Sequence, residues 1–215
     1  MKNTIILVTS HRGLSDETYE CVMATECPNI LKVKGIACVD RARCIAFDRV
    51  MAAFAMPEAR DIDMVLAVDD DMVFTAGDAK RLVDIARGSG HPTTARYCTR
   101  SGATAGTPLK PGEGGASLVA VRERWAFGLG FMAIPRASLE KVAPSLPRVA
   151  ELRMWAQNGA HPLWPGKWIS EDIWFCTHFG GVEMAPIDVG HLKTVVLYPG
   201  RTPTAPRVMM LGEKI

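Results

Sequence analysis

The sequence predicts an α/β fold with a mostly parallel, twisted central sheet. Three observations carry that expectation. Continuous apolar runs rich in β-branched residues, the pattern of strands buried on both faces, recur through the first half of the chain. Between them stand segments with apolar spacings of three and four, bounded by capping residues, glycine or proline. Strand and helix alternate at the pace of βαβ units, which pair in parallel. With 215 residues, 48% of them hydrophobic, the chain can bury one good core as a single domain.

The elements follow in order. "TIILVTS" (4–10) reads as the first strand. A helix over Ser15 to Thr25 follows, with Ser15 as N-cap and Thr18 where a capping box wants Glu or Gln. "ILKVKGIACV" (30–39) is the second strand. Asp40 to Met56 is the clearest helix, capped by Asp40, periodic through Ala42, Ile45, Ala46, Met51 and Phe54, and stopped by Pro57. "IDMVLAVDDDMVF" (62–74) is the third strand, and "GDAKRLVDIARG" (77–88) a helix with a glycine stop.

The second half changes character. The glycine- and proline-rich stretch 98–117 reads as a long loop, either a lid over a ligand or a disordered segment. It divides a first half, 1–97, from a second, 118–200. "SLVAVRERW" and "LGFMAI" read as strands, and "SEDIWFCTHFG" (170–180) as a helix capped by Ser170. The tail after Gly200 carries two prolines, Pro203 and Pro206, and reads as loose.

The formal net charge of +2 is too mild to argue for nucleic acid or an anionic membrane. No apolar run reaches the ~18 residues a membrane span requires, and the N-terminus reads as a strand rather than a signal peptide, so a cytoplasmic protein is expected. The six cysteines form no tight pair with zinc spacing and are expected to be reduced core thiols.

The residues with chemistry begin at "VLAVDDDMVF" (65–74). On a continuous strand Asp69 and Asp71 share a face and Asp70 points the other way. Carboxylates at the carboxyl end of a parallel strand stand where α/β folds bind ligands. Two close carboxylates resist joint ionisation unless a cation neutralises them, and Mg²⁺ or Mn²⁺ takes oxygen ligands while leaving positions for phosphates. The bland alternative is a solvated acidic turn. "SEDIWFC" puts Glu171 and Asp172 in the first turn of an apolar helix, either as acids favoured by the helix dipole or as a general base over a pocket. "DVGHLKT" puts His191 beyond a strand, next to a glycine that permits close backbone approach. "RARC" puts Arg41 and Arg43 at a helix start, either to reach a diphosphate or to lie in solvent. "GLGFMA" (128–133) fits a dinucleotide fingerprint only in letters, since its glycines open a strand; "PGEGGAS" lacks the Lys-Ser/Thr of a P-loop.

Taken together, "TIILVTSHRG", "RARCIAFDRVM", "VLAVDDDMVF", "GLGFMAIPRASLEKV", "SEDIWFC" and "VGH" resemble, in order and spacing, the GT-A-type glycosyltransferases, family 2-like and of the compact bacterial and phage-like kind. The resemblance runs from about residue 4 to residue 194. It departs at Cys44, where many relatives carry Asn, and at Ser170, where they carry Gly.

The resemblance implies a nucleotide-diphospho-sugar transferase fold and transfer of a sugar, UDP-linked, to a hydroxyl acceptor with Mn²⁺ or Mg²⁺. Asp69 would touch the donor ribose or the metal, with Asp70 on the donor side. Asp71 and His191 would ligate the metal, and imidazole favours Mn²⁺. Asp172 would take the acceptor proton, helped by Glu171. Thr9, Ser10, His11, Arg12 and Arg43 would lie near the nucleotide. Asp172 as base favours inversion, with retention open. The acceptor class (glycan, protein or hydroxymethylated DNA base) and the oligomeric state stay undetermined by sequence. The alternatives are a sugar-phosphate nucleotidyltransferase, or a non-catalytic nucleotide- or carbohydrate-binding protein on the same scaffold.

Overall fold

The computed structural model describes residues 1–10, 13–97, 107–108, 125–160 and 168–192. His11, Arg12, nearly all of the loop 98–117, most of "SLVAVRERW" and the tail after Gly200 lie outside the described residues.

Six strands form the central sheet: β1 (Thr4–Ser10), β2 (Ile30–Lys34), β3 (Met64–Asp69), β5 (Thr93–Arg96), β6 (Phe131–Pro135) and β7 (Glu183–Asp188). Two further strands, β4 (Met72–Val73) and β8 (Gly190–His191), pair antiparallel in a ribbon of their own. The sheet order is β7-β5-β6-β3-β1-β2. β1 is parallel to β2 and β3, and β7 to β5, while β6 runs antiparallel to both its neighbours. The expected α/β architecture with a mostly parallel sheet is therefore present.

Five α-helices accompany the strands among the described residues: α1 (Asp16–Ala24), α2 (Val39–Phe54), α3 (Ala76–Ser89), α4 (Arg136–Val142) and α5 (Glu171–His178). Alternation along the strands sorts them into two layers. Ile5, Leu7, Val65 and Ala67 face one way and pack with Phe47 and Val50 of α2 and Phe175 of α5. Ile6, Val8, Leu66 and Val68 face the other way and pack with Val22 of α1 and Leu82 and Val83 of α3. Right-handed crossovers from β1 to β2 and from β2 to β3 put α1 and α2 on opposite faces.

Several boundaries differ from those expected. The second strand stops at Lys34, where Gly35 turns the chain with φ 79°. α2 begins at Val39 behind Cys38, and the Asp40 carboxylate bonds its neighbours Arg41 N–H and Cys38 Sγ instead of capping the helix. α3 gains a full capping box between Thr75 and Asp78 and ends at Gly90, in the left-handed region. The third strand ends at Asp69, not Phe74, because residues 70 and 71 form a turn. Cys27, Cys44 and Cys176 are buried thiols as expected, whereas Cys38 is exposed.

Candidate active site at the carboxyl ends of β1 and β3

The order β2-β1-β3 reverses direction at β1, and at such a switch point the ligand crevice of an α/β sheet is expected between the carboxyl ends of β1 and β3. Thr9 and Asp69 are register partners there, and the Thr9 hydroxyl donates to Asp69 Oδ1 at 3.2 Å. Both are odd-numbered, so they share the face of Leu7 and Ala67 and look toward α2. Ser10 is buried; its Oγ accepts the N–H of Gly13 at 2.7 Å and so shapes the chain leaving β1.

What waits on α2 is Arg43, only 5% exposed. Its Nη2 donates to Asp69 Oδ2 at 2.9 Å and its Nη1 to Glu171 Oε1 at 3.0 Å, and Nη1 also donates to Asp172 Oδ1. The helices are held for this by an aromatic pair. Phe47 stacks on Phe175 with ring centroids 5.0 Å apart, and Trp155 packs on Phe47 at 5.6 Å. Arg43 lies four residues before Phe47 and Glu171 four before Phe175, so each polar residue shares its ring's helix face one turn away. The stacked rings thus set the distance at which guanidinium and carboxylates meet.

One guanidinium faces three carboxylates, leaving the cluster rich in negative charge. Burial alone would lower the Arg43 pKa, but Asp172, Asp69 and Glu171 more than offset it and raise it further, so Arg43 is charged throughout. Asp172 moves the other way. Burial pushes its carboxyl up, the Arg43 guanidinium opposes that, and Glu171 and Asp69 push it up again, to about 6. Its Oδ1 also accepts the Leu129 N–H at 3.1 Å. About a quarter of the Asp172 side chain, 26%, still reaches solvent. A half-buried carboxyl that changes charge near neutrality suits proton transfer.

The helix bearing Glu171 and Asp172 starts at Ser170 as expected, but the Ser170 side chain makes no capping bond. Asn158 Oδ1 accepts the Glu171 N–H at 3.2 Å instead.

Asp71 goes elsewhere. The turn after β3 takes it off the Asp69 face, and the expectation that both share a strand face fails for that reason. The turn is anchored by its backbone: the Asp70 carbonyl accepts from Ser15 N–H and Thr18 Oγ1, each at 3.1 Å, and the Asp71 carbonyl accepts from Leu192 N–H at 2.7 Å. In β4 and β8, Met72 pairs with His191, bringing His191 Nε2 to 2.8 Å from Asp71 Oδ2. Gly190 has the role expected of it. A Cβ there would stand 3.1 Å from Val73 Cβ, tighter than an ordinary contact, so a larger residue would push the two short strands apart by a few tenths of an ångström.

Tyr97 links the two groups and escaped the sequence reading. Its ring meets His191 edge-on at 5.6 Å, and its hydroxyl accepts the Gly130 N–H at 3.2 Å. Burial, then the charges of Asp172 and Asp69, raise its pKa and keep it a neutral phenol. A Cβ on Gly128 would fall 2.0 Å from the Tyr97 hydroxyl and 3.6 Å from Asp172 Oδ2. The glycines of "GLG" therefore make room for Tyr97, a role that a one-dimensional pattern cannot reveal.

The structure thus brings together Thr9, Arg43, Asp69, Glu171 and Asp172 in one cluster, and Asp71 with His191 in a second. Among the described residues no group of three or more His, Cys, Asp or Glu side chains is arranged to hold a metal ion. The Asp71–His191 pair offers one oxygen and one nitrogen donor, both of a kind that Mn²⁺ accepts as ligands. Asp69, the third expected ligand, has Oδ1 on Thr9 and Oδ2 on Arg43.

No family model matches the sequence, and no curated protein matches it. The fold is similar to that of the crystal structure of A197 from STIV, with a TM-score of 0.54 and 17% identity, over 90% of this chain and 87% of that chain. At that identity the likeness bears on the fold alone. Among the described residues no helix is long and apolar enough to cross a membrane.

Proposed function

We propose that the chain is a GT-A-type glycosyltransferase that moves a sugar from a nucleoside diphosphate, UDP-linked, to a hydroxyl acceptor. The observation that carries this reading is Asp172: a carboxyl with a pKa raised to about 6, part-exposed, tied through Arg43 to Asp69 at the crevice where α/β sheets bind ligands. The chain entering the one reversed strand, β6, supports it by bringing the Leu129 N–H to Asp172.

Above pH 6 Asp172 is a carboxylate. Its Oδ1 is engaged by Arg43 and Leu129, so Oδ2 receives the acceptor's proton. The acceptor oxygen then attacks the anomeric carbon, and the bond to the diphosphate breaks with its electron pair leaving on the phosphate oxygen. Thr9 and Asp69 border the nucleotide side. Asp71 and His191 would hold Mn²⁺, which when bound supplies Lewis-acid stabilisation to the leaving diphosphate. A single base on the acceptor side favours inversion.

The test is a panel of nucleotide sugars assayed for release of nucleoside diphosphate with and without Mn²⁺. Mn²⁺-dependent release from at least one UDP-sugar is expected. No release from any donor would overturn the reading.

A further inference from the structure

The sequence reading set Arg43 beside the nucleotide. Its surroundings give it other work. The guanidinium is buried, and both terminal nitrogens are bonded to protein carboxylates from two separate elements, β3 and α5. Asp69 borders the donor side of the crevice; Asp172 is the group that would face the acceptor. No other cation forms an ion pair with either of them among the described residues, and Arg43 alone spans both.

We propose that Arg43 is a positioning residue for transfer, whose fork of donors holds the donor-side Asp69 and the acceptor-side Asp172 at one fixed separation. This rests on the glycosyltransferase reading of the same site. Arg43 gives and takes no proton. The proton passes from acceptor hydroxyl to Asp172, and Arg43 fixes where that carboxylate stands when the acceptor oxygen meets the anomeric carbon. A planar guanidinium suits the task because its donors point along set directions, whereas an ammonium is a single charge at the end of a flexible stem. Charge alone would offset part of the repulsion among the carboxylates; only the fork sets their geometry. The aromatic pair one turn below carries the same spacing into the core.

The discriminating variant is Arg43→Lys, which keeps the positive charge and loses the fork. UDP affinity, measured by calorimetry with Mn²⁺, and the rate of UDP release from the donor that wild type prefers are read together. Turnover at saturating donor is expected to fall about 100-fold, the scale of a 1 Å misplacement, with the UDP dissociation constant within about threefold of wild type. Turnover within about threefold of wild type overturns the proposal, and so does a UDP affinity lost about tenfold at unchanged saturated turnover, which would make Arg43 a nucleotide contact.

Circular dichroism confirms the fold of the variant. Should Arg43→Lys not fold, Glu171→Gln decides, since it removes one arm while leaving the guanidinium two carboxylates. Saturated turnover is then expected to drop about tenfold at constant UDP affinity, and an unchanged rate overturns the proposal. The two levels fail differently. Wild type inactive on every donor brings down the transferase reading together with the role of Arg43. Active wild type with active Arg43→Lys brings down the role of Arg43 alone.

Discussion

Asp69 and Asp71 stand two residues apart in sequence and belong to different parts of the molecule. Asp69 ends a buried strand and joins Arg43, Glu171 and Asp172 in a cluster walled by the two helices. Asp71 follows a turn and pairs with His191 on a short ribbon, where its side chain is 41% exposed and that of His191 18%. The buried cluster is built by packing: rings stacked below, a guanidinium above, the Leu129 N–H at the side. The outer pair is built by two short strands and a glycine. The first holds its geometry through the core and the second through a few hydrogen bonds, so the first suits a fixed base and the second an exchangeable ion.

That contrast can be broken most severely at Asp172. Asp172→Asn keeps the shape and removes the proton acceptor, so turnover should fall about 10²–10⁴-fold with UDP affinity retained. Normal rates in that variant would dismiss the buried cluster as the seat of chemistry. The outer pair is tested by Asp71→Ala, which should reduce Mn²⁺-dependent UDP release to background, as a chelator should for wild type. His191→Ala should instead raise the Mn²⁺ requirement about 10–100-fold. If both variants respond to Mn²⁺ as wild type does, the ion sits elsewhere.

The next effect depends on pH. Asp172 must be ionised to act, so the rate should fall about tenfold for each unit below its value of about 6, measured at saturating Mn²⁺. A rate flat down to pH 4.5 would separate Asp172 from the rate-limiting proton transfer. Smaller still is the strain at the junction of the two clusters. Gly128→Ala drives a Cβ into the Tyr97 hydroxyl and should destabilise by about 1–3 kcal/mol in urea unfolding. The double variant with Tyr97→Phe should recover part of that loss, because the nearest remaining ring atom lies 3.2 Å away. Additive losses would show that the hydroxyl is not what the glycine accommodates.

The last expected effect is on the pH dependence of stability. A carboxyl whose folded pKa is raised contributes stability below its unfolded pKa and loses it as pH rises through the folded value. For Asp172 the loss falls between about 4 and about 6. Asp172→Asn should therefore be more stable than wild type by roughly 2–3 kcal/mol at pH 8 and equal to it near pH 4. Equal melting curves at both pH values would show that holding the carboxylate in the cluster carries no net cost.

The parts legible in sequence were those with local causes. Apolar runs and caps gave five of the six sheet strands and the helices α1, α2, α3 and α5 in type and near position, because each signal lies within one element. The exception, β5, spans four residues of "TTAR" and has no apolar run to announce it. Asp172, Glu171, Asp71 and His191 were singled out by residue type and context, and Asp71 and His191 do meet. The turn at 70–71 was hidden because its causes are distant: Ser15, Thr18 and Leu192 hold it. The tie from Arg43 to Glu171 and Asp172 spans 128 and 129 positions, a separation at which spacing carries no information. Tyr97 and Asn158 act only through what the fold sets beside them.

The stacked rings of Phe47 and Phe175 are buried in the core, yet the polar groups one turn above inherit their spacing. A designer who transplanted every charged residue of this crevice onto another α/β scaffold, but let the ring pair drift, would copy the ingredients and lose the instrument. Here the interior works as the gauge against which the chemistry is set.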